Sequence, residues 1–538
     1  MDDKGFEKLP GCAVAYIDAL IKKMGYRRKI RAEVKAELID HFTDALKSCT
    51  DDRQQRAEDI ISEFGDVKML GRLIRRGKKR CRSLWRTMIV RCFQLIGVLL
   101  LCVVLRVGHL SIGRANISVD YVQWLNELVR NGKENSLNAM PYYNKAAELF
   151  DKELPELLKD YSDERGWIEK ASDEQRSEIV KYLEENAEAF DLVREGAQKP
   201  YCWTEYKGET TSEVRYDLPQ DVMESVLPQL SKYKGLAQKF TFISIAQKKY
   251  AGDYEGALSD CIVLHKFARH MQGKGLIIEQ LVGIAIEAMG HYNIFEILEK
   301  YDVDTDVLEN IQNEFEKNSA KRQVGINLNA EKAFWYDLVQ RGFTDDGMGS
   351  GRVLKRGLPL AVGEGKEGLK GFVFGFSDRR EIVAEIERYF EKVDELSRKT
   401  PWQLRQEGID DEQLVNNVKS FLLKISVPAN YHIHALGWRC EPSRLAIAAI
   451  LAMLRYEGKR GAYPENLEVL VDAGFLEDVP IDPFSGEPLV YRKTEDGFIL
   501  YSFGTNFTDD GGQYGINKRD GKRRTWGDEG DAVFWPVP

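Results

Sequence analysis

Apolar residues recur along most of this chain at the three- and four-residue spacing of amphipathic helices. A first stripe is Ile17, Leu20, Ile21 and Met24, and a second is Val34, Leu38 and Phe42. Ile60, Ile61 and Phe64 make a third, which Gly65 stops; Asp66 is then placed to cap a short fourth helix bearing Leu70 and Leu73. Residues 11–80 therefore predict a compact bundle of short helices. The polar face then disappears: residues 88–106 read MIVRCFQLIGVLLLCVVLR, with only Arg91 and Gln94 interrupting before Arg106.

Helical periodicity returns beyond residue 118 and dominates to about residue 395. Ile179, Leu183, Ala187, Phe190 and Val193 form one long stripe, ended by Gly196 and Pro200. Two amphipathic helices flank Ala251-Gly252-Asp253, and the following LIIEQLVGIAIEAMGHYNIFEIL is apolar enough to be buried on more than one side. Glycines break the pattern over residues 344–375, and it resumes at Asp378. Near the C-terminus a long apolar helix runs to Gly461, and a short one carries Leu467, Leu470 and Val471. Two β-prone runs, 489–492 and 498–503, flank the turn Glu495-Asp496-Gly497. The predicted fold is mainly α: a helical bundle over 11–80, one apolar helix over 86–108, an irregular helical array over 118–440, and an α+β module over 441–538.

Length and charge sharpen that picture. The chain's 538 residues exceed what one core normally organises. Its 77 basic and 86 acidic residues, net charge -9, describe an acidic soluble protein on average. The distribution says otherwise, because Arg72, Arg75, Arg76, Lys78, Lys79, Arg80, Arg82, Arg86 and Arg91 crowd one flank of the apolar run. Such a cluster suits phospholipid headgroups or nucleic acid, and the neighbouring hydrocarbon-like stretch decides for lipid. With Arg91 and Arg106 reaching to opposite headgroup layers and Trp85 at the interface, the run predicts one transmembrane helix. The positive-inside rule puts the N-terminus in the cytoplasm and the C-terminal part outside, in a bacterial inner membrane. A cleaved signal peptide fits poorly, since a patterned helical segment precedes the run. The eight cysteines suggest no disulfide framework: Cys202, Cys261 and Cys440, an odd number, fall on the exported side.

Candidate chemistry is sparse. Glu33, Glu37 and His41 share a helix face, where a solvated row is the simpler reading than a metal site. His432 and His434 would point the same way on a strand, near Cys440, and zinc accepts both donor types. Gly363, Gly365 and Gly368 satisfy G-x-G-x-x-G without the strand that a nucleotide loop needs, which leaves a flexible excursion. No catalytic set is predicted.

Three resemblances follow from particular residues. The stretch EVKAELIDHFTDAL and the later ISEFGDVKMLGRLI, with its Phe-Gly-Asp turn, resemble the HAAS family of small helical modules that precede membrane segments, which implies protein interaction or signalling. The turn Gly252-Asp253 with Ala257-Leu258 looks like that of a tetratricopeptide-type hairpin, without a 34-residue period; NAEAFDLVREGAQKPYCW and LVGIAIEAM are similar to exported helical domains of planctomycete-like membrane proteins. Tyr463-Pro464, Asp482-Pro483-Phe484, Gly486, Pro488-Leu489, Tyr501-Ser502-Phe503-Gly504 and the acidic end resemble the globular head of type II secretion major pseudopilins. That last resemblance implies a structural calcium ion, with Asn506, Asp509, Asp510, Asp528 and Asp531 as the matching oxygen ligands. The insertion QYGINKRDGKRRTW between the acidic clusters departs from the family, as does the absence of an apolar helix at the very start. The expected function is a membrane-anchored envelope protein with a non-enzymatic interaction or signalling role and protein partners, with no nucleic-acid partner. An exported hydrolase acting on cell wall or polysaccharide, and a scaffold in a secretion or pilus-like system, are the alternatives.

Overall fold

The computed structural model describes residues 9–47, 52–80, 84–150, 167–207, 230–319, 324–355, 378–409, 421–527 and 529–537. The chain is mainly helical with one three-stranded sheet, and divides into two compact units, Met1–Arg106 and Val107–Pro538.

In the first unit, α1 (Gly11–Met24), α2 (Arg28–Leu46), α3 (Arg53–Phe64) and α4 (Val67–Arg80) enclose a small core. The buried faces are those of the sequence pattern, with Ile17, Leu20 and Met24 facing Val34, Leu38 and Phe42. Asp52 caps α3 by accepting from the Gln55 amide (3.1 Å), and Asp66 caps α4 through the Met69 amide (2.7 Å). Gly65, at φ +75°, makes the turn between them. Helix α5 (Leu84–Ser111) follows, and the division between the units falls inside it. Every described side chain from residue 88 to 105 on α5 is exposed.

The second unit begins with α6 (Tyr121–Arg130), α7 (Met140–Leu149), α8 (Trp167–Lys170), α9 (Asp173–Glu185) and α10 (Ala187–Ala197). A π-helical stretch, Phe240–Ile245, joins α11 (Leu230–Lys239) to α12 (Ala246–Tyr250). The longest hairpin pairs α13 (Tyr254–Met271) with α14 (Ile277–Lys300); α15 (Thr305–Ser319), α16 (Glu331–Gly342), α17 (Arg379–Ser397) and the short α18 (Pro401–Gln406) follow. Then comes α19 (Phe421–Arg460), 40 residues long, which packs against α14 and α15. After the short α20 (Glu468–Asp472), β1 (Val490–Lys493), β2 (Phe498–Ser502) and β3 (Ala532–Trp535) form an antiparallel sheet in that order.

The boundary expected at residues 440/441 lies inside α19, and the core does not respect it. One cluster runs from Ala139 through Phe315 to Phe534, and Phe534 stacks on Phe295 with centroids 5.8 Å apart. Long helices that face both ways carry a core across such a boundary. The turn at residues 494–497 and both β-prone runs are where the alternation put them; β3, drawn from the acidic end, was not anticipated. Residues 432–434 are helical, not extended, so positions two apart lie on different sides of α19.

Candidate metal centre

Helices α13 and α14 place three chemically competent side chains together. Gly252 at φ +76° turns the chain, and Asp253 caps α13 by accepting from the Gly256 amide at 2.9 Å. The face of α13 turned inward carries Ala257, Cys261, Leu264, His265 and Ala268, all buried. On α14, Gly283 and Gly290 sit on either side of Glu287 and let the two backbones approach. A Cβ on Gly283 would stand 2.7 Å from the Ala268 carbonyl oxygen, and one on Gly290 3.4 Å from that of Cys261. This close approach brings His265 of α13 against Glu287 and His291, one turn apart on α14.

The three facing atoms are His265 Nδ1, His291 Nε2 and Glu287 Oε1. Their separations are 3.3 Å between the imidazoles, 3.6 Å from His265 to the carboxylate and 3.7 Å from His291 to it. His265 and Glu287 are fully buried and His291 is 2% exposed. The other carboxylate oxygen, Oε2, accepts from Gln272 Nε2 at 2.6 Å, which aims Oε1 at the two rings. Ser319 Oγ, at the end of α15, lies 3.4 Å from His265 Nε2. Phe315 closes the apolar side, its ring centroid 4.7 Å from that of His265 and 5.8 Å from that of His291. Two imidazole nitrogens and a carboxylate oxygen are a donor set that first-row divalent metals accept. Among the described residues this is the group of three His, Cys, Asp or Glu side chains whose donor atoms converge.

The residues singled out from the sequence lie elsewhere. Asn506, Asp509 and Asp510 lie in one loop, which hydrogen bonds tie to the distant Asp531, whereas Asp528 lies outside the described residues. Their oxygens are engaged within the loop. Asp531, fully buried, accepts from the amides of Asp510 (3.1 Å) and Gly512 (2.7 Å). Asp509 accepts from Tyr501 Oη (2.8 Å) and the Gly511 amide (2.9 Å), and Asp510 from Asn506 Nδ2 (2.7 Å). Burial raises the Asp531 carboxyl above its ordinary value, and the two amide hydrogen bonds only partly offset this. Asp482 plays a related part, receiving Ser502 Oγ (2.8 Å) and the amides of Phe484 and Phe503 (both 3.1 Å). Nothing in this geometry identifies calcium.

His434 accepts from Trp438 Nε1 at 3.0 Å within α19, and Cys440 is buried six residues further along the same helix. The side chain of His432 lies outside the described residues, as do Gly363, Gly365 and Gly368. Glu37 pairs with Lys78 at 2.9 Å, and His41 packs on Phe64 at 5.3 Å between ring centroids. The Glu33–Glu37–His41 row is thus exposed, with Glu37 and His41 partnered within the bundle. The signal that the sequence did carry is Glu287-x-x-x-His291 on an otherwise apolar helix. Its third member sits on the preceding helix, where spacing along the chain says nothing of proximity. No family model matches this chain, and neither a curated protein nor a solved structure is significantly similar to it, so the reading of its site rests on these residues alone.

Proposed function

We propose that this chain is a single-pass protein of the bacterial inner membrane, its N-terminal bundle cytoplasmic and its larger unit an extracytoplasmic, non-enzymatic binding domain. One observation carries the reading: the 18 positions from 88 to 105 of α5 are exposed together, directly after the basic run that reaches Arg86. In water, such a surface is far beyond the few hundred Å² of contiguous apolar patch that monomers tolerate. Two described helices are long and apolar enough to cross a bilayer, and burial separates them: Met88–Ser111 is 0% buried in its most apolar window, Ile277–Lys300 61%. At 1.5 Å per residue the exposed run is about 27 Å long, close to the ~30 Å hydrocarbon core.

The non-enzymatic part of the reading is supported by the way buried charge is used in the larger unit. Arg194 holds Asp260 through both oxygens at 3.0 Å, with Lys248 at 2.8 Å and Ser244 at 2.7 Å from the same carboxylate. Lys249 pairs with Glu296, and Arg341 with Asp337 at 2.9 Å. These are struts between and within helices, with each carboxylate engaged in holding the framework together. The HAAS-like turn at Phe64-Gly65-Asp66 fits the same assignment at the cytoplasmic end.

Fractionation tests the anchor. The full chain is expected in the membrane pellet after salt and alkaline washing, and a Leu99→Lys, Leu100→Lys, Leu101→Lys variant in the supernatant. A reporter fused at residue 80 should be active only as a cytoplasmic fusion, and one after Pro538 only as an exported fusion. Wild-type protein found in the supernatant, or the reverse reporter pattern, refutes the assignment.

A further inference from the structure

We infer that His265, Glu287 and His291 bind a divalent transition-metal ion of the zinc type, which clasps α13 to α14 inside the larger unit. The donor nitrogens of His265 and His291 stand 3.6 and 3.7 Å from Glu287 Oε1 and 3.3 Å from each other. That nearly equilateral triangle is the face of a coordination tetrahedron: bonds of 2.0–2.2 Å give edges of roughly 3.3–3.6 Å.

The surroundings agree with this. Metal ligands are normally oriented by a second layer of hydrogen bonds. Gln272 holds the carboxylate oxygen turned away from the centre at 2.6 Å, and Ser319 lies beside the outer nitrogen of His265 at 3.4 Å. Phe315 provides an apolar wall. Glutamate and two histidines in neutral, lone-pair-bearing form supply three of four tetrahedral positions, and zinc is preferred over calcium because imidazole nitrogen outnumbers oxygen. Ligands drawn from two helices mean that binding adds directly to the stability of the hairpin.

The experiment uses the full chain in detergent, stripped with a chelator, incubated with zinc and desalted before elemental analysis. The expected result is about one zinc per chain, with a melting temperature raised by zinc and lowered again by chelator. Cobalt in place of zinc should give the intense visible bands of a tetrahedral nitrogen–oxygen site. Glu287→Gln keeps the side chain's volume and a polar contact for Gln272; with its helical circular dichroism intact, it should bind zinc at least tenfold more weakly. Wild-type chain that keeps less than about a tenth of an equivalent of zinc, with a melting temperature unmoved by zinc or chelator, overturns the inference. So does Glu287→Gln protein that folds and binds zinc as tightly as wild type.

Discussion

At the scale of single residues, glycine and histidine decide more than the charged positions that crowd the sequence. Gly283 is where a methyl group has no room, being 2.7 Å from the Ala268 carbonyl and from a Gln272 side-chain carbon. Gly283→Ala, though it favours helix intrinsically, is expected to cost about 1–3 kcal/mol of stability by forcing α13 and α14 apart; thermal unfolding checks it, and an unchanged or raised melting temperature contradicts it. His270 is held neutral by its partners. Its Nε2 donates to the Lys199 carbonyl (3.0 Å), leaving Nδ1 to accept from Tyr143 Oη (2.7 Å). Burial, above all, pushes its pKa down to about 4, with Arg269 and Lys266 adding to the effect and the Lys199 hydrogen bond opposing it. A depressed histidine means that the unfolded chain binds the proton more readily. The stability it confers is therefore complete above about pH 6.5 and lost as pH falls toward about 4, on the order of 3 kcal/mol. Denaturant titrations between about pH 7 and 5 should show a stability slope in wild type that His270→Gln reduces by close to one proton; equal slopes would refute the assignment. Burial likewise lowers His434 to about 4. The sequence did not single out His270, and it singled out His434 only as a metal donor on a strand, because an imidazole's neighbours come from other helices.

At the scale of elements, α5 and α14 are both long and apolar enough to cross a bilayer and have opposite surroundings. Buried along α14 are Glu279, Gln280, Glu287, His291, Asn293 and Glu296, polar groups that hydrocarbon would not satisfy. Glu279 receives Thr204 Oγ1 (2.6 Å), Tyr206 Oη (2.5 Å) and the Leu276 amide (3.0 Å), and burial still keeps its carboxyl above the ordinary range. Gln280 ties α14 to residue 327 through both ends of its amide, at 2.7 and 2.9 Å. A helix like this is a core element whose polar residues fix its rotation against its neighbours. On α5, residues 88–105 carry one basic residue and one glutamine and no such partners are needed. Helix boundaries were readable wherever capping chemistry marked them, at Asp52, Gly65, Asp66 and Asp253. The start of α19 at Phe421 was not, because its amphipathic pattern is weak.

At the scale of the molecule, the most extensive apolar cluster among the described residues of the larger unit joins the C-terminal sheet to the helical array. Phe534 is 1% exposed and stacks on Phe295 of α14. Phe534→Ala is accordingly expected to remove about 3–5 kcal/mol and to shift one unfolding transition for the whole unit; a separate transition confined to residues 441–538 would show an independent module instead. The order of amino acids by itself determined the helical character, the bundle's apolar stripes, the hydrocarbon-like run with its basic flank, and the two β-prone strands, since each depends on neighbours within a few residues. What only the tertiary structure decided was which helices meet: the joining of the sheet to the array, the partners of α14's buried polar residues, and the convergence of His265 with Glu287 and His291. Those depend on contacts between segments whose separation along the chain leaves no periodic trace, and on glycines whose significance appears only when a second backbone lies against them.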